Sequence, residues 1–289
     1  MSTATVVFNP ASGSAPSEDE LRAAFEEHAD GHRIKFSPTT ENDPGFGQTT
    51  EAVENGDEVV IACGGDGTVR AVAQSLVGTG VQLGVVPFGT GNLLAGNLEL
   101  EQGFDAIPAA LTSPARPIDV GRINGEVFAV MAGVGFDALM IRDAPARVKH
   151  RMGSVAYVVS ALRHLRASRV NVTIRVDGEP FFEGPVVMAL IGNLGRISGG
   201  LEVFPEAHPA DGKLDVAALT ANSTIEWARV FTNMVRKRPQ PDELVRRACG
   251  ERIDIELAAP TVWELDGEDR DPTDRLVIEV VPNALEVRA

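Results

Sequence analysis

A chain of 289 residues with 44% hydrophobic residues is long enough for one large core or two moderate ones, so two globular domains are the expectation. A net charge of −15 argues against nucleic acid as a partner, because phosphate backbones are held by Lys and Arg. Cys63 and Cys249 are too few thiols for a disulfide framework, and no C-x-x-C or His-rich cluster suggests zinc.

The opening "MSTATVVFNPASG" lacks a basic region followed by an apolar core and a small-residue cleavage site, and no run of about 18 apolar residues occurs. A cytoplasmic protein is expected, with peripheral contact at the inner membrane face left open. Thr5 to Phe8 reads as a strand. In "PSEDELRAAFEEHA", Ser17 and Glu20 stand at capping-box spacing, and Leu21, Ala24, Phe25 and His28 share one helical face. Arg33 to Phe36 is a weaker strand, Glu58 to Cys63 a buried one, Val69 to Val77 a helix and Val81 to Val86 another buried strand. Strands without polar alternation, separated by helices, predict a parallel sheet covered on both faces.

The pattern changes near Pro114 to Pro117. Asn124-Gly125 and Asp177-Gly178 are hairpin signals, and Val170, Val172, Ile174 and Val176 alternate with polar residues. With further strands at Leu214 to Leu219, Ile253 to Leu257, Thr261 to Leu265 and Leu276 to Val281, and a helix around Ser154 to Leu165, a β-rich, sandwich-like second domain follows. The expected division is residues 1–116 and 117–281. Charge is uneven across it: Arg142 to Arg169 carries seven Arg and Lys residues against Asp143, and "RVFTNMVRKRPQ" (Arg229 to Gln240) is basic too. Such faces suit an anionic lipid surface, and a solvated helix face accounts for them equally well.

A parallel sheet binds ligands beyond the carboxyl ends of its strands, where Gly64-Gly65-Asp66-Gly67-Thr68 lies. Glycines admit phosphate oxygens to the backbone, and the following helix offers unpaired N–H groups. A carboxylate there is repelled by phosphate unless a metal bridges them or it orients a reacting group, so Asp66, read as lying on a solvent-facing loop, suggests a magnesium nucleotide. A plain strand-to-helix turn is the alternative. "NPASG" (Asn9 to Gly13) and "PFGTGNLLA" (Pro87 to Ala95) follow two other strands and put three glycine-bearing loops on one sheet edge. The P-loop and dinucleotide fingerprints are both absent.

N-P-x-S-G, G-G-D-G-T and P-x-G-T-G-N in this order resemble the diacylglycerol kinase catalytic family, within it the soluble bacterial lipid kinases related to sphingosine kinases. The likeness runs on through Gly192 to Val216 and "LDGE" (Leu265 to Glu268). The resemblance implies an α/β nucleotide domain, a β-sandwich lipid-binding domain, an active site in the cleft, and residues 282–289 returning to the first domain. ATP and magnesium are the implied cofactors and a lipid alcohol the implied substrate. Carried over by motif, Asn9, Pro10, Ser12, Gly13, Gly64, Gly65, Asp66, Gly67, Thr68, Val69, Arg70, Gly89, Thr90, Gly91 and Asn92 surround the nucleotide. A threonine after the second strand also belongs there, with Thr39 and Thr40 both candidates. The following "NDPGFGQT" departs from the family's shorter G-D-A pattern. A structural magnesium would take the Asp211 side chain with the carbonyls of His208 and Lys213, where the residues alone read as a surface turn. Glu268, or Asp266, is the implied base, where the residues alone read as an acidic hairpin. An NAD kinase shares G-G-D-G-T and a two-domain plan, and a catalytically silent nucleotide or lipid sensor is the third reading.

Overall fold

Thr3–Phe8 (β1), Val59–Gly64 (β3) and Gln82–Pro87 (β4) are buried along nearly their whole lengths, as apolar runs flanked by helices on both faces must be. The protein is seen here as a computed structural model, which describes residues 3–11, 16–29, 31–135, 169–197, 201–221, 223–236, 238, 241 and 243–289. Two units form, Met1–Val120 with Val281–Ala289, and Gly121–Val280. In the first, Arg33–Pro38 (β2) is the half-exposed edge, and all neighbours run parallel in the order β4, β3, β1, β2. Val287, near the end of the long strand Glu268–Arg288 (β16), pairs parallel with Leu83 on the far side of β4. Asp57, just before β3, ties β1 to β2: it accepts from Thr5 Oγ1 at 2.5 Å and from Lys35 Nζ at 2.9 Å.

The capping box read from Ser17 and Glu20 starts Glu18–Glu27 (α1), whose Leu21 and Phe25 enter the core. Phe46–Glu54 (α2) has no counterpart in the expected elements. Its start is made by Asp43, whose carboxylate accepts from the N–H groups of Gly45, Phe46 and Gly47, so "NDPGFGQT" is a helix cap. Asp66–Leu76 (α3), Leu93–Asn97 (α4) and Ile107–Thr112 (α5) complete this unit's α-helices among the described residues.

The second unit is antiparallel. It contains the end of Ala115–Ile123 (β5), Glu126–Phe128 (β6), Met131–Val134 (β7), Val170–Val176 (β8), Glu179–Val186 (β9), Met188–Gly192 (β10), the short pair Arg196–Ile197 (β11) and Leu201–Glu202 (β12), Leu214–Leu219 (β13), Thr224–Val235 (α6), Val245–Gly250 (β14) and Arg252–Leu265 (β15). Asn124-Gly125, Asp177-Gly178 and Asp266-Gly267 all have positive φ at both positions, the geometry that Asn-Gly and Asp-Gly hairpins require. The two strands expected at Ile253 to Leu257 and Thr261 to Leu265 are one strand, irregular around Ala258-Ala259-Pro260. Its first half pairs with β8 and its second with β7. That bend lets Ile253 and Ile255 meet Trp263 and Leu265 in one core with Val172, Ile191 and Val216, so the α/β plus sandwich-like fold is as expected. The expected helix Ser154 to Leu165 and all but the last residue of the basic stretch Arg142 to Arg169 lie outside the described residues. Among the described residues no helix is long and apolar enough to cross a membrane.

Candidate active site

Parallel pairing aligns the carboxyl ends of the first unit's strands, and the loops that leave them meet there. Gly64 pairs with Pro87, and the Phe88 N–H donates to the Gly64 carbonyl at 2.9 Å. A Cβ on Gly89 would lie 2.7 Å from the Gly65 Cα and 2.7 Å from Asn92 Oδ1, so the two loops touch glycine to glycine and Gly89 admits no side chain. The helix starts at Asp66, with Gly65 as its cap, and not at Val69 as the glycine pattern suggested. Asp66 is also not the free carboxylate expected of a solvent-facing loop. Its Oδ2 accepts the Asn92 N–H at 2.9 Å and its Oδ1 the Leu93 N–H at 2.6 Å, which caps the short helix α4 and ties the two glycine loops together.

Phe8 pairs with Pro38, and this places Asn9 and Thr39 at the same sheet edge. Asn9 Oδ1 accepts the Ala11 N–H at 2.9 Å, which bends the first loop. Thr39 is buried, its N–H donating to the Phe8 carbonyl at 2.8 Å, whereas Thr40 is exposed and bridges to Asp43. Pro10, Gly67 and Thr90 are exposed. Thr68 packs beneath Gly64, Val69 is buried, and Arg70 is buried with its guanidinium over the Phe46 ring and 3.2 Å from Gln74 Oε1, so it packs toward α2. Ser12 and Gly13 lie outside the described residues. Two features suit a nucleotide here. A Cβ on Gly67 would meet nothing within 4 Å, and the buried Asn92 Oδ1 has no partner, an acceptor awaiting a donor.

In the second unit the hairpin between β15 and β16 separates Asp266 from Glu268. The Asp266 carboxylate accepts three backbone N–H groups, from Ala129 at 2.9 Å, Val130 at 3.0 Å and Met131 at 2.9 Å, and so fixes the turn before β7. Asn193 joins the same turn, donating its side-chain amide to the Ala129 carbonyl at 3.2 Å. Glu268 keeps a side chain 45% exposed, with Arg270 Nη1 3.4 Å from its Oε2. Arg270 is itself held by Glu126, Nε to Oε2 2.8 Å.

Glu264 was not singled out by the sequence, because a glutamate between Trp263 and Leu265 reads as the solvent-facing member of an alternating strand. It is instead 9% exposed, on the sheet face opposite those two core residues, and its Oε2 has no partner. Burial, then the charges of Asp269 directly across the hairpin and Asp266 in the turn, push its carboxyl up to about 7. A folded-state pKa raised above the ordinary glutamate value of 4.5 means the native state binds the proton more tightly. Stability from this group is then whole below about pH 4.5 and falls as pH rises toward 7, by on the order of 3 kcal/mol. Glu264→Gln is therefore expected to match wild type in thermal unfolding at pH 4.5 and to exceed it at pH 8; equal melting at both values would remove the assignment.

In the turn expected to hold a metal, Asp211 Oδ1 accepts the Lys213 N–H at 3.0 Å, and the Ala210 N–H lies 3.3 Å from His208 Nδ1. Among the described residues no three His, Cys, Asp or Glu side chains converge as metal ligands. One carboxylate with two carbonyls remains a donor set suited to a hard cation. Nearby, burial raises the Asp215 carboxyl to about 6, with Asp211 and Glu206 adding to the effect and Arg247 opposing it.

A parallel α/β unit with glycine loops at its carboxyl edge, followed by an antiparallel sandwich-like unit, defines the two-domain class shared by lipid kinases and NAD kinases. Residues 3–123 match the diacylglycerol kinase catalytic domain and residues 129–289 the YegS C-terminal NAD kinase beta sandwich-like domain. The chain is 31% identical to a protein of Alcanivorax borkumensis named "probable lipid kinase YegS-like", over 94% of this chain and 92% of that one. It is 28% identical to the diacylglycerol kinase of Bacillus subtilis, over 93% and 90%. A diacylglycerol kinase structure from Bacillus anthracis shares the fold with a TM-score of 0.75 at 19% identity, covering 99% of this chain and 96% of that one. An NAD kinase from Archaeoglobus fulgidus in complex with ATP shares it at 0.56 and 12% identity, covering 99% and 93%. The chain belongs to the diacylglycerol kinase family, of the YegS-like lipid kinase type.

Proposed function

We propose that the protein is an ATP-dependent lipid kinase that phosphorylates a hydroxyl of a lipid such as diacylglycerol. The observation that carries the nucleotide half is the paired glycine loop of the first unit, Gly65 against Gly89, fastened by the two N–H bonds to Asp66. Its residues fit a phosphate chain, which needs bare backbone and the N-terminus of α3. When bound, ATP supplies the transferable phosphoryl group and magnesium offsets phosphate charge. Asn9, Thr39, the Gly64 to Thr68 turn and the Gly89 to Asn92 loop would hold the nucleotide, and Asp211 with the His208 and Lys213 carbonyls would hold a structural magnesium.

The acceptor half rests on Glu268. Its carboxylate is exposed enough to reach an alcohol and accept its proton, whereas the Asp266 oxygens are occupied by three N–H donors. Asp266 then acts as a positioning residue that sets the hairpin from which Glu268 projects. Family membership favours a lipid over NAD as acceptor, since both halves match the lipid kinase type. Incubating the purified protein with labelled ATP, magnesium, a panel of lipid alcohols and NAD tests this. Phosphorylated lipid is expected; phosphorylated NAD would favour the NAD kinase reading, and no product from either would favour a silent sensor.

A further inference from the structure

The helix α6 carries a surface that neither the nucleotide loops nor the LDGE hairpin uses. Ser223 and Glu226 form a capping box, with the Glu226 carboxylate turned back on the Ser223 N–H at 3.2 Å, so the helix has a fixed start and its acidic side chain is engaged in the cap. Val230 is buried and Trp227, Phe231 and Met234 are half-buried, and these four define the inner face. At 3.6 residues per turn, Ile225, Arg229 and Arg236 fall within about 40° of one another on the outer side. All three are exposed, as are Ala228 and Thr232 beside them.

Ile225 is 80% exposed, the highest value among the large hydrophobic residues left at the described surface. An isolated exposed apolar side chain needs no explanation by itself. Here it shares a stripe with two arginines, and Arg238 follows directly, its N–H bonded back to the Asn233 carbonyl at 2.8 Å. No ion pair involving Arg229, Arg236 or Arg238 forms among the described residues, and no carboxylate stands on the outer arc of α6. On a protein of charge −15, that is a local reversal of sign combined with an apolar tip.

We propose that the outer face of α6 is a docking element for an anionic lipid bilayer, with Arg229, Arg236 and Arg238 meeting headgroup phosphates and Ile225 entering the interface. The choice of a bilayer as occupant rests on the lipid-kinase reading together with this charge complementarity. Guanidinium groups pair with phosphate through a planar fork, and a short apolar anchor beside cations is the pattern of interfacial helices.

The test is sedimentation with vesicles of phosphatidylglycerol and phosphatidylcholine mixed, against phosphatidylcholine alone. Wild type is expected to bind the anionic vesicles and to leave the neutral ones. At about 1 kcal/mol per Arg near an anionic surface, Arg229→Gln, Arg236→Gln and Arg238→Gln together should lower the partition coefficient roughly 100-fold, and high salt should erase the difference. Ile225→Ser should lower it roughly tenfold in a way that salt does not erase. Both variants alter exposed positions and should melt as wild type does, which separates lost docking from lost folding. Wild type ignoring anionic vesicles, or a triple variant that binds as well as wild type, overturns the proposal. Turnover of a water-soluble short-chain diacylglycerol separates it from the kinase reading: the triple variant should retain that turnover, and no turnover by wild type on any lipid would remove the kinase reading while the vesicle result still decides the docking one.

Discussion

Glu268→Gln is expected to lower kcat by about 10²–10⁴-fold while leaving ATP affinity close to that of wild type. A carboxamide keeps the size of the side chain and cannot accept the proton of an alcohol, and general-base catalysis contributes on that scale. The side chain is 45% exposed, and substitutions at such surface positions seldom move stability far, so thermal unfolding should hardly change. Asp266→Ala makes the contrast. It strips the acceptor from the N–H groups of Ala129, Val130 and Met131, and each orphaned donor costs about 1–3 kcal/mol, so this variant should lose stability first and activity as a consequence. Activity and melting temperature measured on both variants separate a base from a positioning residue. If Glu268→Gln weakens ATP binding as much as it lowers kcat, the carboxylate serves the nucleotide or its metal; if kcat is unchanged, Glu268 is not the base.

The layout of strands and helices was legible where a single period dominates. The apolar run Val59 to Cys63, and Val81 to Val86 with Gln82 its single polar residue, read as buried strands, and the glycines after them as loops. What the sequence hid was set by long-range partners. The bent β15 reads as two strands because Ala258-Ala259-Pro260 interrupts the alternation, and its continuity shows only in the pairing with β8 and then β7. The helix α2 hides because its cap, Asp43, is followed by Pro44 and two glycines, which read as turn residues until the N–H groups of Gly45, Phe46 and Gly47 are seen converging on one carboxylate. At the site, the motif positions were visible, but the difference between Asp266 and Glu268 lies in backbone N–H donors from more than a hundred residues away in the chain. Glu264 was hidden for the opposite reason, since period two predicts its face correctly but not that the face is covered.

Asp66→Asn is expected to abolish measurable turnover and, contrary to the reading of a solvent-facing loop, to cost stability as well. The carboxylate offers one acceptor oxygen to the Asn92 N–H and the other to the Leu93 N–H, at 2.9 and 2.6 Å. A carboxamide offers one acceptor and one donor, so whichever way it turns, one of those N–H groups faces an NH₂. That loss costs about 1–3 kcal/mol, and the repulsion frees the Gly89 to Asn92 loop from the Gly64 to Thr68 turn. The consequence for activity is larger than for folding. Gly65 and Gly89 are in near contact, so a shift of even about 1 Å in one loop changes the backbone surface presented to phosphates, and misplacement of that size costs roughly 10²-fold or more in rate. Calorimetric titration with ATP and thermal unfolding of the same variant give the two readouts. Lost ATP affinity together with a lowered melting temperature is the expected pair. Wild-type melting with lost turnover would return Asp66 to a purely chemical role beside the phosphates, and full activity would remove this carboxylate from the site altogether.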